Sequence, residues 1–467
     1  MAAAFVTALL LAIFAVVRLG PLTDTGRSWI VTRLEGVPVG PLGRLHVSGL
    51  RGDVWHDFTL DRLSIADAGG TWFEARGLHV RWRPSRLLRR RVHAQLLQID
   101  SLTLSRRPTL SPAKPGGSAG GLPVSIFIDD LGVRLETAPA FSVVRGLFQI
   151  RMNVDIARKG GVAGSIRSQN LLQSGDGMEA RFDLGVGRKV LLEGRAHESR
   201  GGALAGMLGL PVSKAVLIDA KAGGDVVAGS SHILAYSGTT LIAQADGVWT
   251  KAGGGMQGTL ALDASSWTAP LMRALGPRLL FSVQHTQVRG SLRDLVVRLQ
   301  SDNAALSIVG PVDIAHRRSD QGLTVNASAK DLSRLIAQPT MGGGHFAGVW
   351  KGRDLDWNLT GQAAVQRLVL GAYALADASG PVRVIFHAGE LRLIADANGT
   401  GGQGSGLVGA LAGPKPQASL DASRLADGRL LLRALKLSGA GVKLGFIVIA
   451  AYFLSLPLLR HSPWADD

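Results

Sequence analysis

Alternation of apolar and polar residues is the feature that most limits how this chain can fold. Four runs between residues 44 and 105 alternate with a period of two, and similar runs recur from residue 123 to residue 399. Successive side chains of a strand point to opposite faces, so this period is typical of strands with one apolar face. Gly accounts for 61 of the 467 residues, well above the usual ~7%, and suits the turns between such strands. The sequence therefore predicts an all-β protein.

The predicted strands are short and closely spaced. They cover residues 44–50, 58–67, 71–82, 92–105, 123–136, 147–157, 180–187, 189–198, 258–265 and 381–399. Short helical patterns interrupt them at residues 23–36, 84–91, 266–275 and 331–337, the first of which reads as an amphipathic helix. Similar hairpins can extend a sheet without closing a core. We therefore expect an elongated, mostly antiparallel β-sheet with few short helices.

An apolar run precedes the predicted sheet. Residues 2–17 carry no charge and include nine strongly apolar side chains, which favour membrane insertion by roughly 4 kcal/mol in total. Sixteen residues of helix rise about 24 Å, and residues 18–20 can extend them toward the ~30 Å hydrocarbon core. We expect one transmembrane helix over residues 1–20. A cleaved signal peptide and a buried core helix are the alternatives, but no basic residue precedes the run and no small-residue cleavage site follows it.

Composition divides the rest of the chain into four parts. Residues 21–110 form the first β region, residues 111–122 a linker rich in Pro and Gly, and residues 123–444 the repetitive sheet. Residues 445–467 form an apolar tail whose uncharged run, 445–459, lies between Lys443 and Arg460. The tail reads either as a second membrane segment or as a frame-shifted chain end.

The charge balance points toward a surface partner. The formal net charge is +16, and the densest basic cluster is Arg86, Arg89, Arg90 and Arg91. A solvated helix face, a contact with anionic headgroups and nucleic-acid binding are the three interpretations. Nucleic-acid binding would need aromatic side chains interleaved with the basic ones, whereas the only ones nearby, Trp72, Phe73 and Trp82, follow the alternation of the strands. We therefore expect a membrane-surface contact and no nucleic-acid partner.

No residue pattern points to catalysis or to a cofactor. The chain has no Cys, which excludes thiol nucleophiles, disulfides and Cys-ligated metals. The string Gly399-x-Gly401-x-x-Gly404 follows a predicted strand, but further Gly and Pro stand where a dinucleotide-binding helix would begin. The adjacent carboxylates Asp129 and Asp130 are expected to point to opposite faces of a strand, where they cannot flank one bond. We predict that the protein is not an enzyme and binds no cofactor or metal.

Specific motifs lie between residues 44 and 108. They are the hairpin opening Val47-Ser48-Gly49-Leu50, the turn at residues 63–72, the exit Trp82-x-Pro84, and the strand end Arg106-Arg107-Pro108. With the apolar run before it, this region resembles the N-terminal part of the TamB family, the inner-membrane subunits of the translocation and assembly module within the AsmA-like superfamily. The resemblance covers about the first 110 residues, and residues 123–443 only in style.

The resemblance implies a single-pass protein of the bacterial inner membrane with most of its chain in the periplasm. It implies a curved, taco-like sheet whose apolar groove carries phospholipid between the inner and outer membranes, and a role in outer-membrane protein assembly and protein secretion. The implied partner is a TamA-like outer-membrane barrel protein. Proteins of this type are longer and end in a domain that docks on that partner, so this chain is expected to be a truncated or split form without it.

The apolar face of the predicted strands is the candidate lipid groove. Its representative residues are Val124, Ile126, Ile128, Val382, Val384 and Phe386. In a sheet that curls without closing, such a face can solvate acyl chains at about 0.8 kcal/mol per buried CH₂. The alternatives are that these residues pack against another sheet in an ordinary core, and that the protein is an envelope scaffold or interaction protein that transports nothing.

Overall fold

The computed structural model describes residues 23–109, 124–158, 160–185, 189–336, 339–441, 443–446 and 450–452. These residues contain 26 strands and five short helices, which confirms the predicted β protein with few helices. The expected anchor at residues 1–20 and the linker at residues 111–122 lie outside the described residues. Within the described part of the chain, no helix is both long enough and apolar enough to cross a membrane.

The chain divides into two compact units, Met1–Ile242 and Ala243–Asp467. The strands of the first unit are β1 Arg44–Asp53, β2 Asp57–Asp67, β3 Gly70–Trp82, β4 Arg91–Leu104, β5 Ser125–Thr137, β6 Gly146–Ile156, β7 Val162–Asn170, β8 Gly177–Leu184, β9 Lys189–Glu198, β10 Val216–Asp225 and β11 Gly229–Ser237. From β1 to β10, each strand pairs with the next strand of the chain. The pairing of β4 with β5 is parallel, and the others are antiparallel.

Most strands of the second unit also pair with the next strand of the chain, except that Glu390–Thr400 pairs with Gln417–Arg424 and the two-residue Gln403–Gly404 pairs with Tyr373–His387. Its strands are β12 Thr240–Thr250, which straddles the division, β13 Gly253–Ala261, β14 Arg278–Arg289, β15 Leu292–Ser301, β16 Ala304–Asp313, β17 Arg318–Ala329, β18 Gly344–Arg353, β19 Asp356–Leu370, β20 Tyr373–His387, β21 Glu390–Thr400, β22 Gln403–Gly404, β23 Gln417–Arg424, β24 Leu430–Ser438, β25 Lys443–Phe446 and β26 Ala450–Tyr452. Both β25 and β26 pair with β24, so two pieces of chain at the start of the apolar tail are strands. The remainder of the tail lies outside the described residues.

Short helices connect some of the strands. They are Asp24–Leu34, Pro139–Ser142, Ala203–Met207, Ala269–Leu275 and Gly406–Ala412, with 3₁₀ turns at Gly40–Leu42, Pro84–Arg89 and Leu332–Arg334. The first begins after Thr23, whose hydroxyl oxygen accepts a hydrogen bond from the Gly26 N–H. The helix predicted there is confirmed, but its amphipathic character is not. It buries none of its residues, and Trp29 is 62% exposed.

One predicted strand proves to be a hairpin. The alternating run 381–399 is divided between β20 and β21, which pair in antiparallel register from Asp377 to Thr400. Between them Ala388 and Gly389 both have positive φ, at 50° and 88°. Two consecutive positive φ values are what a two-residue hairpin turn requires. Alternation continues through the hairpin, so periodicity alone did not reveal the turn.

The buried centre of the first unit lies on the apolar face of its first strands. Val47, Leu60 and Leu78 are buried together, and the registers place Leu60 directly opposite Leu78. Half-buried apolar residues of β1 to β4 surround them. This pattern gives one face that holds the strands together and an opposite face that remains polar.

Candidate functional site: the apolar sheet faces

The predicted groove residues of the first unit lie at the beginning of β5. Ile126 lies opposite Val92 of β4 and Ile156 of β6. Ile128 lies opposite Ala94 and Val154 in the same way. Val124, Ile126 and Ile128 are all half-buried. The two isoleucines therefore belong to an apolar face that crosses several strands, and Val124 immediately precedes it.

This apolar face continues along the first unit. From β5 to β10 its cross-strand rows are Val133, Ile150, Ser168, Met178, Ala196 and Ile218, then Leu131, Met152, Ile166, Ala180, Gly194 and Ala220, then Ile128, Val154, Gly164, Phe182, Leu192 and Ala222. Most of these side chains are only half-buried. Half-buried apolar side chains retain contact area that another apolar molecule can cover.

A bulge in β5 keeps its apolar residues on one face. The register shifts between Ile128 and Leu131, where three residues of β5 span two of β6. Asp129 and Asp130 occupy this bulge, and both are exposed and line the same polar cavity. The prediction that their side chains point to opposite faces is therefore wrong, because the extra residue interrupts the alternation of the strand. Asp129 is also within 2.8 Å of the His93 ring through its Oδ2 atom.

The polar face of the first unit carries charged side chains in cross-strand rows. They line an open cavity of about 680 Å³ and include Arg151, Arg167, Glu179, Arg195 and Asp219 in one row and Asn153, Ser165, Arg181, Glu193 and Lys221 in the next. Arg195 and Asp219 form an ion pair at 3.2 Å. Opposite charges on neighbouring strands stabilise a solvated sheet face. This face is unsuited to lipid tails.

The predicted groove residues of the second unit share one face of β20. Val382, Val384 and Phe386 are half-buried, whereas their neighbour Arg383 is exposed. Their cross-strand neighbours are Gly361 and Ala395 for Val382, Leu359 and Leu393 for Val384, and Trp357 and Leu391 for Phe386. The rings of Trp357 and Phe386 are stacked with centroids 5.7 Å apart. Aromatic and aliphatic side chains thus continue this apolar face across three strands.

An apolar cavity lies on the same face of the second unit. It has a volume of about 400 Å³, within the ~300–1,000 Å³ range of ligand pockets. Its lining includes Leu299, Leu306, Ala327, Phe346 and Ala363 of the sheet. Leu275 of the helix Ala269–Leu275, Leu332 of the 3₁₀ turn and Leu335, which follows that turn, complete it. Ala363 lies opposite Gly380, two residues before Val382. The sequence analysis did not identify this cavity, because residues from six strands and two connections form it.

The predicted basic cluster occupies the connection between β3 and β4. Pro84–Arg89 forms a 3₁₀ turn, Arg90 follows it with a positive φ of 55°, and Arg91 begins β4. Arg89, Arg90 and Arg91 are exposed and Arg86 is half-buried. The Arg91 guanidinium lies over the Phe127 ring at 5.6 Å. The sequence analysis missed the two apolar residues inside this cluster, although Leu87-Leu88 between two arginines is a visible signal.

The Gly-rich string Gly399-x-Gly401-x-x-Gly404 begins in β21 and ends in the two-residue strand β22. A short helix, Gly406–Ala412, does follow it, contrary to the expectation from its Gly content. The Tyr373 hydroxyl donates a hydrogen bond to the Gly413 carbonyl, and a Cβ atom added at Gly402 would clash with that hydroxyl. The Tyr373 side chain therefore fills the space beside Gly402 and Gly404. In the described part of the chain, no group of three or more His, Asp or Glu side chains could hold a metal ion.

Comparison of the chain with protein-family models, with curated proteins and with solved structures finds no match in any of the three.

Proposed function

We propose that this protein is a non-enzymatic, inner-membrane-anchored periplasmic β protein that carries phospholipid between the inner and outer membranes along an apolar β groove. Its motifs between residues 44 and 108 resemble the TamB family. On that resemblance the groove is a curved, taco-like sheet that supports outer-membrane protein assembly and secretion. The partners in this proposal are phospholipid, the inner membrane and a TamA-like outer-membrane barrel protein.

The observation that carries the proposal is the apolar face of each unit, which is half-buried and continuous across neighbouring strands. In the second unit it borders a cavity of about 400 Å³ with an almost wholly apolar lining. An acyl chain that enters such a site gains about 0.8 kcal/mol for each CH₂ removed from water. A site of this kind recognises hydrocarbon with little dependence on the headgroup.

Photo-crosslinking on the full chain tests the groove. A photo-reactive residue in place of Ile126 or Val384 is expected to capture phospholipid, because both positions lie on apolar faces. The matched controls are the strand neighbours Ser125 and Arg383, which point to the opposite faces. We expect capture at the apolar positions to exceed capture at the controls several-fold. Equal capture on both faces would refute a one-sided groove, and no retained lipid in native mass spectrometry would favour the scaffold function instead.

A further inference from the structure

Two apolar side chains project from the basic turn between β3 and β4. Leu88 is 90% exposed and Leu87 is 38% exposed. Both belong to the 3₁₀ turn Pro84–Arg89, which buries none of its residues. Leucine gains free energy when it leaves water, so a leucine held at this exposure on a short projecting turn is available to a partner with an apolar layer.

The cations around these leucines are uncompensated. Arg86, Arg89 and Arg90 form no ion pair with any residue that the structure describes. A projecting turn with two leucines among three free guanidinium groups matches the layers of an anionic bilayer, with phosphates outside and acyl chains inside. Nucleic acid offers the anionic groups but no apolar layer for Leu88.

The turn lies at the same end of the first unit as three other features. The hairpin turn between β1 and β2 is at this end, since the Trp82 indole N–H donates to the Val54 carbonyl at 2.8 Å. The helix Asp24–Leu34 begins there, because Arg27 of its first turn donates to the Gly52 carbonyl at 3.4 Å. The Ser125 N–H donates to the Arg90 carbonyl at 3.0 Å, which joins the basic turn to the first residue of β5.

We propose that this end of the first unit docks on an anionic lipid bilayer, with Leu88 in the acyl region and Arg86, Arg89 and Arg90 on lipid phosphates. Val92 and Ile126 lie opposite each other at the start of the apolar face. Val92 is two residues after Arg90, and Ile126 is one residue after Ser125. Lipid leaving the bilayer at the turn therefore reaches the apolar face directly. This last step rests on the proposed lipid transport, whereas the docking surface does not.

The docking surface is tested with single cysteines, since the chain has none of its own. The full chain, labelled with an environment-sensitive fluorophore at Leu88→Cys, is reconstituted into vesicles of phosphatidylglycerol and phosphatidylcholine. The matched control is Leu172→Cys, another exposed leucine (53%) in the β7–β8 connection at the opposite end of the unit. We expect lipids brominated on their acyl chains to quench the label at position 88 several-fold more than at position 172. Equal quenching at the two positions overturns the proposal.

Charge reversal separates the docking surface from the groove. The triple variant Arg86→Glu, Arg89→Glu, Arg90→Glu is expected to reduce quenching at position 88 several-fold in anionic vesicles. It is also expected to reduce lipid capture at Ile126 from vesicles, but not from detergent micelles containing phospholipid. Unchanged quenching overturns the docking surface and leaves the groove intact. Reduced quenching without any capture at Ile126 or Val384 from either source supports docking and refutes lipid transport.

Discussion

At the scale of single residues, the buried Asp67 carboxylate accepts four hydrogen bonds. Its side chain is 3% exposed and pairs with both terminal nitrogens of Arg106. It also accepts hydrogen bonds from the N–H groups of Gly69, at 2.8 Å, and Thr109, at 2.6 Å. The Arg106 guanidinium lowers the pKa of Asp67 to about 2. This cluster ties the chain after β4 to the turn between β2 and β3.

The low pKa makes the contribution of Asp67 to stability depend on pH. Because the pKa is lower in the folded state than its ordinary value of 3.8, the stabilisation is complete above about pH 5 and is lost as pH falls from about 4 to 2. We expect Asp67→Asn to lower the free energy of unfolding by about 2 kcal/mol at pH 7. The difference from the wild type should shrink below pH 4 in denaturant titrations.

The control for this prediction is Asp61→Asn. Asp61 pairs with Arg51 at 2.7 Å, but both side chains are largely exposed, and exposed ion pairs contribute about 0–1 kcal/mol. Two outcomes would contradict this account. One is that Asp61→Asn lowers the free energy of unfolding as much as Asp67→Asn does. The other is that the effect of Asp67→Asn on this free energy does not change with pH.

At the scale of elements, the strands β1 to β3 are held by a small apolar cluster on one face. Leu60 of β2 is buried in this cluster together with Val47 and Leu78, and it lies opposite Leu78. We expect Leu60→Ala to reduce the free energy of unfolding by about 2–4 kcal/mol, because it removes buried methyl groups and leaves a cavity. Thr59→Ala alters the opposite, polar face and should change the free energy of unfolding by less than about 1 kcal/mol. Guanidinium titrations measure the free energy of unfolding of the two variants. If both variants lose the same free energy of unfolding, the apolar face contributes no more to stability than the polar face.

Strand positions were largely predictable, because alternation and Gly-rich turns are local signals. The predicted strands 58–67 and 71–82 match β2 Asp57–Asp67 and β3 Gly70–Trp82 within one residue. The bulge at Asp129 and Asp130 was not predictable, since it depends on register with β6. The parallel pairing of β4 with β5 and the cavity near Phe346 depend on contacts between residues distant in sequence. The exposure of Leu88 depends on how the turn leaves the sheet.

At the scale of the whole molecule, each unit is a series of strands that pair mainly with their neighbours in the chain. Stability in such an arrangement is approximately a sum of local strand and nearest-neighbour contributions. We expect Leu60→Ala to reduce amide hydrogen-exchange protection in β1 to β4 and to leave protection in β18 to β21 unchanged. Mass-spectrometric exchange of the full chain measures both regions. Equal loss of protection in both units would mean that the chain unfolds as one cooperative body.

Nearest-neighbour pairing also bears on how such a chain can grow and fold. Many of the antiparallel hairpins, such as β20–β21, close over only a few residues, so their contacts can form as soon as the second strand emerges during synthesis or export. A duplicated hairpin inserted between two existing ones displaces its neighbours without changing the pairing inside them. The length of the apolar face can therefore change in steps of one hairpin, and an ancestral sheet can be lengthened or shortened while every remaining turn, such as that at Ala388 and Gly389, keeps its own geometry.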